Sequence, residues 1–305
     1  MSSNTEAVAF TESTTRADEM RESTEAWLED LSKHVGEARA SDEFREWLDT
    51  QSRFQEYSHR NTLLIKQQRP EATKVAGYRT WQREFDRQVC EGESAIWIWA
   101  PIIARQCPSC GNSAKHHERT DCDESTSDDE WPTGLVGFKP ASVFDVSQTE
   151  GEPLPSLKTT TLGDADDLLG RLLDAAEDLE ITVSVVPATE WTHGEATGVC
   201  KRFGFDAEPL IEVCDRANEA DLAGTLIHEY AHALLHFDVN EEVERAKREV
   251  EAEAVAYIVG RYSGLDVSGS AFYLAAWQSD AMDVLIDRLG RISQTAATLI
   301  EAIED

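Results

Sequence analysis

Positive charge is scarce in this chain. Across 305 residues, 28 Lys and Arg face 59 Asp and Glu, a formal net charge of −31. Such a surface repels itself in dilute buffer and needs high salt to screen it. We read it as adaptation to a salt-rich cytosol of the haloarchaeal kind. Eight Trp and clear apolar periodicity exclude the other source of such acidity, a largely disordered interaction protein. Long apolar runs are also missing. The longest, Ala95 to Ala104, is too short for a bilayer. The N-terminus MSSNTEAVAFTESTTRADEM lacks the basic start and apolar stretch of a signal peptide, so the expected location is cytoplasmic. In that compartment six cysteines point to metal ligands or free thiols rather than disulfides. No internal repeat is evident.

Histidine is rare too, with eight in the chain, and two of the eight fall in His228-Glu229-Tyr230-Ala231-His232. This H-e-x-x-H pattern lies in an apolar run, Leu222 to Leu235, that reads as a helix. Residues four apart share a helical face, so both imidazoles can meet one ion, while Glu229 is placed to take a proton from water polarised by it. A third ligand is needed downstream. The helix expected over Glu242–Tyr262 offers Glu249 and Glu253 on one face and Glu251 on the other. We take Glu253 as ligand, with Glu249 as the alternative; whichever is not the ligand can hold a ligand histidine. Glu251 reads as a solvated charge, and His236 as a capping or packing residue.

A second metal set lies in Cys107-Pro108-Ser109-Cys110, with His116, His117 and Cys122 close behind. Cys107, Cys110, His117 and Cys122 make a closed Cys3His zinc set, with His116 in reserve. The loop 106–129 has almost no apolar residues, so a structural zinc would supply order that a core cannot. Cys90, Cys200 and Cys214 read as ordinary buried cysteines.

Charge is unevenly spread. Between Gln51 and Gln106 nine Lys/Arg outnumber six Asp/Glu, with Phe54, Tyr57, Tyr78, Trp81, Trp97 and Trp99 among them. Cations interleaved with aromatics suit single-stranded nucleic acid. The competing reading is a helix face paired with acidic neighbours and aromatics that are simply core.

The pattern predicts helix through Glu22–Gln68, stopped at Arg69-Pro70, then strands over Thr73–Tyr78, Ala95–Ile103 and Gly134–Val146. Beyond the linker-like TEGEPLP come a helix (Leu162–Leu179) and strands at Ile181–Val186 and Leu210–Val213. The H-e-x-x-H helix and Glu242–Tyr262 follow, then helices around Tyr273–Trp277 and Met282–Ile303. The strands do not alternate with helices as βαβ units do, so the expected class is α+β in two domains. We expect a disordered stretch 1–20, a first domain 21–150 of helices on a small antiparallel sheet, a linker 151–165, and a second domain 166–305. In the second domain a small sheet should lie against the H-e-x-x-H helix.

With these residues in view, the chain resembles the ArdC-like antirestriction proteins, which pair a single-stranded-DNA-binding domain with a zincin-like metallopeptidase domain. The likeness is carried by YSHRNTLLIKQQRPEATKVAGYRTWQ (Tyr57–Gln82), VFDVSQTEG (Val143–Gly151), and HEYAHALLH with EVEAEAVAYIVG. The last pair is also distantly similar to the ImmA/IrrE peptidases. The resemblance implies DNA contacts at the signature positions Asn61, Gln68, Tyr78 and Trp81 and at the neighbouring cations Arg60, Lys66, Lys74 and Arg79. It implies a zinc peptidase site at His228, Glu229 and His232, and a role tied to mobile elements. It leaves two alternatives open: a non-proteolytic DNA-coating protein with a vestigial site, and a regulatory peptidase that cleaves a repressor. The inserted cysteine loop and the strong acidity depart from the plasmid-type pattern.

Overall fold

Burial decides where these segments fold. The computed structural model describes residues 7–10, 14–34, 38–117, 122, 128–152, 165–202, 207–236, 245–267, 277, 280 and 282–304. In chain order the elements are α1 (Arg16–His34), α2 (Ala38–Arg53), α3 (His59–Gln68), β1 (Val75–Ala76), α4 (Tyr78–Glu84), β2 (Arg87–Val89), β3 (Ile96–Arg105), α5 (Ala114–His117), β4 (Thr133–Asp145) and β5 (Thr149–Gly151). Then come α6 (Ala165–Asp178), β6 (Thr182–Val186), β7 (Gly198–Lys201), β8 (Leu210–Cys214), α7 (Glu219–Leu235), α8 (Arg245–Tyr262) and α9 (Met282–Glu304). The class is mixed helix and sheet. No helix among the described residues is long and apolar enough to cross a membrane.

Contacts divide the chain into two units, and not at the expected boundaries. One comprises Met1–Ser23 with Gln67–Gly151; the other comprises Thr24–Lys66 with Glu152–Asp305. The stretch expected as one domain, 21–150, is therefore shared between them. The reason is apolar: Phe44, Trp47 and Leu48 on α2 belong to the same buried cluster as Val255, Ile258 and Trp277. Phe44 meets Trp277 edge-on at 5.5 Å. Within the stretch 1–20, expected to be disordered, α1 begins at Arg16, and Phe10 and Met20 are buried; residues 1–6 and 11–13 lie outside the described ones. Most of the expected linker, and Tyr273, lie outside the described residues.

The first unit is built on a long ribbon. β3 and β4 pair antiparallel from Ile96–Val143 to Arg105–Thr133, with a register shift at Ile102/Ile103, and β1 adds to β4. β2 and β5 form a separate antiparallel pair. Trp81 on α4 is fully buried, and its indole N–H donates to the Phe144 carbonyl at 2.9 Å. The expected strand Thr73–Tyr78 thus shortens to two residues, because Trp81 and Phe85 put a helical face on the sheet, with rings 5.1 Å apart. Asp145 ties the unit together. Its carboxylate accepts from the backbone N–H of Thr73 (2.8 Å), Lys74 (3.1 Å) and Ser147 (2.9 Å).

The second unit carries a mixed sheet in the order β6-β8-β7, with β6 and β8 parallel and β7 antiparallel to β8. Ile211 and Val213 of β8 point into the cluster that holds Leu222, Leu226 and Tyr230 of α7. Asn218 caps α7, accepting from the Asp221 N–H, and Glu219 and Asp221 suit its first turn. The buried Tyr230 hydroxyl donates to the Leu172 carbonyl at 2.6 Å, so no polar group is stranded there. α8 packs against α2, α7 and α9 and is buried nearly all round. That packing fixes the surroundings of its three glutamates.

Candidate metal centres

His228 and His232 stand one turn apart on α7 with their Nε2 atoms 3.1 Å apart. Glu249 Oε2, from α8, lies 3.4 Å from the first and 3.5 Å from the second. Tetrahedral donors bound at about 2.0–2.1 Å stand about 3.3–3.4 Å from one another, so these three atoms outline one face of a zinc-sized tetrahedron. The donor set fits a divalent cation on geometry alone.

The two candidate glutamates take the reverse of the order expected. Glu249 converges with both Nε2 atoms, whereas Glu253 Oε2 lies 3.4 Å from Nδ1 of His228, on the far side of the ring. Helical periodicity placed both on one face, but only three-dimensional packing could say which nitrogen each would meet. Burial pulls His228 down, yet the hydrogen bonds to Glu249 and Glu253 outweigh it and carry its pKa up to about 9. The same histidines hold Glu249 well below the usual carboxylate range.

Glu251 is the clearest correction. It is not solvated but 1% exposed, because α9 covers the face of α8 that would otherwise meet water. It pairs with His236 Nε2 at 2.8 Å, with the Arg288 guanidinium, and with Arg291 at 3.6 Å. His236 caps α7 and also touches the site, its Nδ1 lying 3.0 Å from Nδ1 of His232.

Glu229 is buried beside the two histidines, and burial raises its pKa. It has a neighbour that sequence reading missed. A Cβ added to Gly198 on β7 would lie 2.8 Å from both Cγ and Oε1 of Glu229 and 2.7 Å from Thr225 Cγ2. The only available signal was a glycine in a short apolar stretch, GVCK, too short to read as a strand.

The second set is also assembled. Cys107 Sγ and Cys122 Sγ are 3.8 Å apart, and Cys110 Sγ is 3.5 Å from His117 Nδ1. Zinc–sulfur bonds of about 2.3 Å give tetrahedral S···S edges of about 3.8 Å, and mixed S···N edges slightly shorter. Of the two histidines weighed, His117 turns to the cysteines, with its ring against Trp131 at 4.9 Å, while His116 is exposed and meets Ser113 Oγ. The hydrogen bond from His117 brings the Cys110 thiol down to about 6, favouring the thiolate that a metal needs.

The eight residues proposed for DNA are less uniform. Arg60, Asn61 and Lys66 fall in the second unit; Gln68, Lys74, Tyr78, Arg79 and Trp81 fall in the first. Arg60 and Arg79 are exposed, and Tyr78 is 43% exposed with its hydroxyl accepting from Gln88. Trp81 and Asn61 are buried. Gln68 clamps the backbone of Trp97, donating to its carbonyl (2.9 Å) and accepting from its N–H (2.8 Å). Lys66 pairs with Glu46 at 3.0 Å, and the Lys74 ammonium sits 5.0 Å from the Phe85 ring. Several signature positions therefore serve the fold. The ribbon adds exposed apolar residues that the sequence reading did not single out: Ile103, Leu135 and Phe138.

No protein-family model matches the chain. A Bacillus anthracis protein described as uncharacterised is 25% identical over 311 residues, covering 94% of this chain and 51% of that protein. The chain thus spans about half the length of the curated relative it matches. Two solved structures of the antirestriction ArdC protein from the R388 plasmid are also similar. The metal-free form has a TM-score of 0.46 at 17% identity, over 81% of this chain and 84% of that one. The Mn(II)-bound form has 0.41 at 16% identity, over 82% and 86%.

Proposed function

We propose that this chain is a zinc-dependent peptidase of the antirestriction, mobile-element kind that also binds single-stranded DNA. The observation that supports it best is the meeting of His228, His232 and Glu249 donor atoms beside a buried glutamate, Glu229. A set of two imidazoles and one carboxylate suits catalytic zinc better than manganese, which favours oxygen donors. Held there, the ion would polarise a peptide carbonyl and make water more acidic. Glu229 accepts a proton from the attacking water and delivers it to the leaving amine. Its raised pKa suits this, since a glutamate that holds a proton nearer neutrality can also give it back. Glu253 orients His228 through Nδ1. The Cys107, Cys110, His117 and Cys122 set is proposed as a closed structural zinc site at the end of the β3–β4 ribbon.

The nucleic-acid part rests on the signature stretches Tyr57–Gln82 and Val143–Gly151 and on the locally basic segment. Its exposed candidates are Arg60, Tyr78 and Arg79.

The test is Glu229→Gln. The variant should keep its full metal content and lose cleavage of fluorescein-labelled casein by a factor on the order of 100 or more. Cleavage at the wild-type rate with metal retained would remove Glu229 from the chemistry. Binding of a labelled oligothymidine in molar KCl tests the second half of the reading, and Arg60 and Arg79 substitutions should weaken it. If DNA binding and protection from restriction survive Glu229→Gln unchanged, protection works by coating DNA and not by proteolysis.

A further inference from the structure

We infer that His236 and Glu251 form a positioning relay that fixes the ring of His232 as an Nε2 donor and so sets metal affinity; the inference rests on the metal-centre reading above. To give Nε2 to a cation shared with His228 and Glu249, His232 must turn its lone pair there and keep its ring proton on Nδ1. That Nδ1 is 3.0 Å from Nδ1 of His236, and two protonated nitrogens cannot meet at that distance. His236 therefore accepts at Nδ1 and carries its own proton on Nε2, which lies 2.8 Å from Glu251 Oε2. Glu251 Oε2 accepts that proton, with the Arg288 guanidinium and Arg291, at 3.6 Å, beside the same carboxylate. Arg288 is anchored in turn, its Nε donating to Asp280 at 2.8 Å, while Lys247 holds the other Asp280 oxygen at 2.5 Å.

The relay is dry. The side chains of His236 and Glu251 are 5% and 1% exposed, so water cannot replace either partner. The other ligand histidine is held differently. His228 meets Glu253 directly at 3.4 Å, and that carboxylate is 31% exposed. The two imidazoles thus have unequal support, and His232 is the one whose orientation depends on a chain of buried groups on three helices. Partners that orient ligand histidines commonly carry a 10–100-fold effect on metal affinity.

The test uses the full chain and cobalt(II). Cobalt at the cysteine set shows thiolate charge-transfer absorption that a histidine–carboxylate site lacks, so the two sites titrate separately. His236→Leu should weaken cobalt and zinc binding at the His228/His232 site by about 10–100-fold, with the thiolate band unchanged. His236→Asn places an acceptor oxygen near the lost Nδ1 and should recover most of that affinity. Long-range nitrogen–proton correlation on the zinc-loaded protein should find His236 protonated at Nε2 and bare at Nδ1. Unchanged affinity in His236→Leu, equal losses in the Leu and Asn variants, or His236 protonated at Nδ1 in the zinc-loaded protein would each overturn the relay. A different result marks failure of the underlying reading: if wild type and His232→Ala take up cobalt identically, there is no metal site here for His236 to support.

Discussion

Gly198 is a glycine because of its neighbour on another element. β7 runs so close to α7 that a methyl group would press on the side chains of Thr225 and Glu229. Gly198→Ala should therefore shift the Glu229 carboxyl while leaving His228, His232 and Glu249 in place. We expect a stability loss of about 1–3 kcal/mol from overpacking, full metal content, and a drop in casein cleavage disproportionate to the stability change. Urea unfolding, metal analysis and cleavage on one preparation check this; an alanine variant as active as wild type would show that Glu229 does not need this wall. The residues that could be read from sequence were those fixed by spacing along a single helix or loop: His228, Glu229, His232 and the Cys107–Cys122 set. Glu251 could not be read, because periodicity gives the direction of a side chain and not what stands in that direction. For the same reason the order of Glu249 and Glu253 had to wait for the packing of α8 on α7.

Among the elements, the turn after β4 carries more than its three residues suggest. Asp145 and Gln148 cap it reciprocally, and Asp145 also receives the N–H groups of Thr73 and Lys74 beside β1. Burial works against the ionised form, but these hydrogen bonds, with that of Ser147, win and depress its pKa. A depressed carboxylate contributes stability above its unfolded pKa of about 3.9 and loses it as pH falls through the lower folded value. Asp145→Asn should cost about 1–3 kcal/mol near neutral pH, with the gap to wild type closing in strong acid. Urea titrations of both proteins at neutral and strongly acidic pH measure that gap; an equal gap at both would rule out the charge as its origin. Long elements such as α7, α8, α9 and β3 were legible from their apolar pattern. β2 and β7 were not, since three or four residues carry no period, and the short α4 was not read at all.

For the whole molecule, the net charge of −31 sets the conditions under which everything else holds. Raising KCl from about 0.1 M to about 1 M shortens the Debye length from about 10 Å to about 3 Å. The melting temperature should rise over that range, and scanning calorimetry across a KCl series would show it. A flat or falling series would mean that self-repulsion is not the governing term. The domain division was the least legible feature of all. Composition shifted at TEGEPLP, but the apolar stripe of α2 finds its partners far along the chain.

That interleaving has a consequence for how the protein is made. Phe44, Trp47 and Leu48 leave the ribosome about 200 residues ahead of α8, which covers them. At about 5–20 residues per second this leaves α2 uncovered for about 10–40 s in every round of synthesis. During that interval its apolar stripe must be shielded by chaperones or by the acidic residues around it, so the steps most exposed to aggregation come before α7 and α8 have been translated.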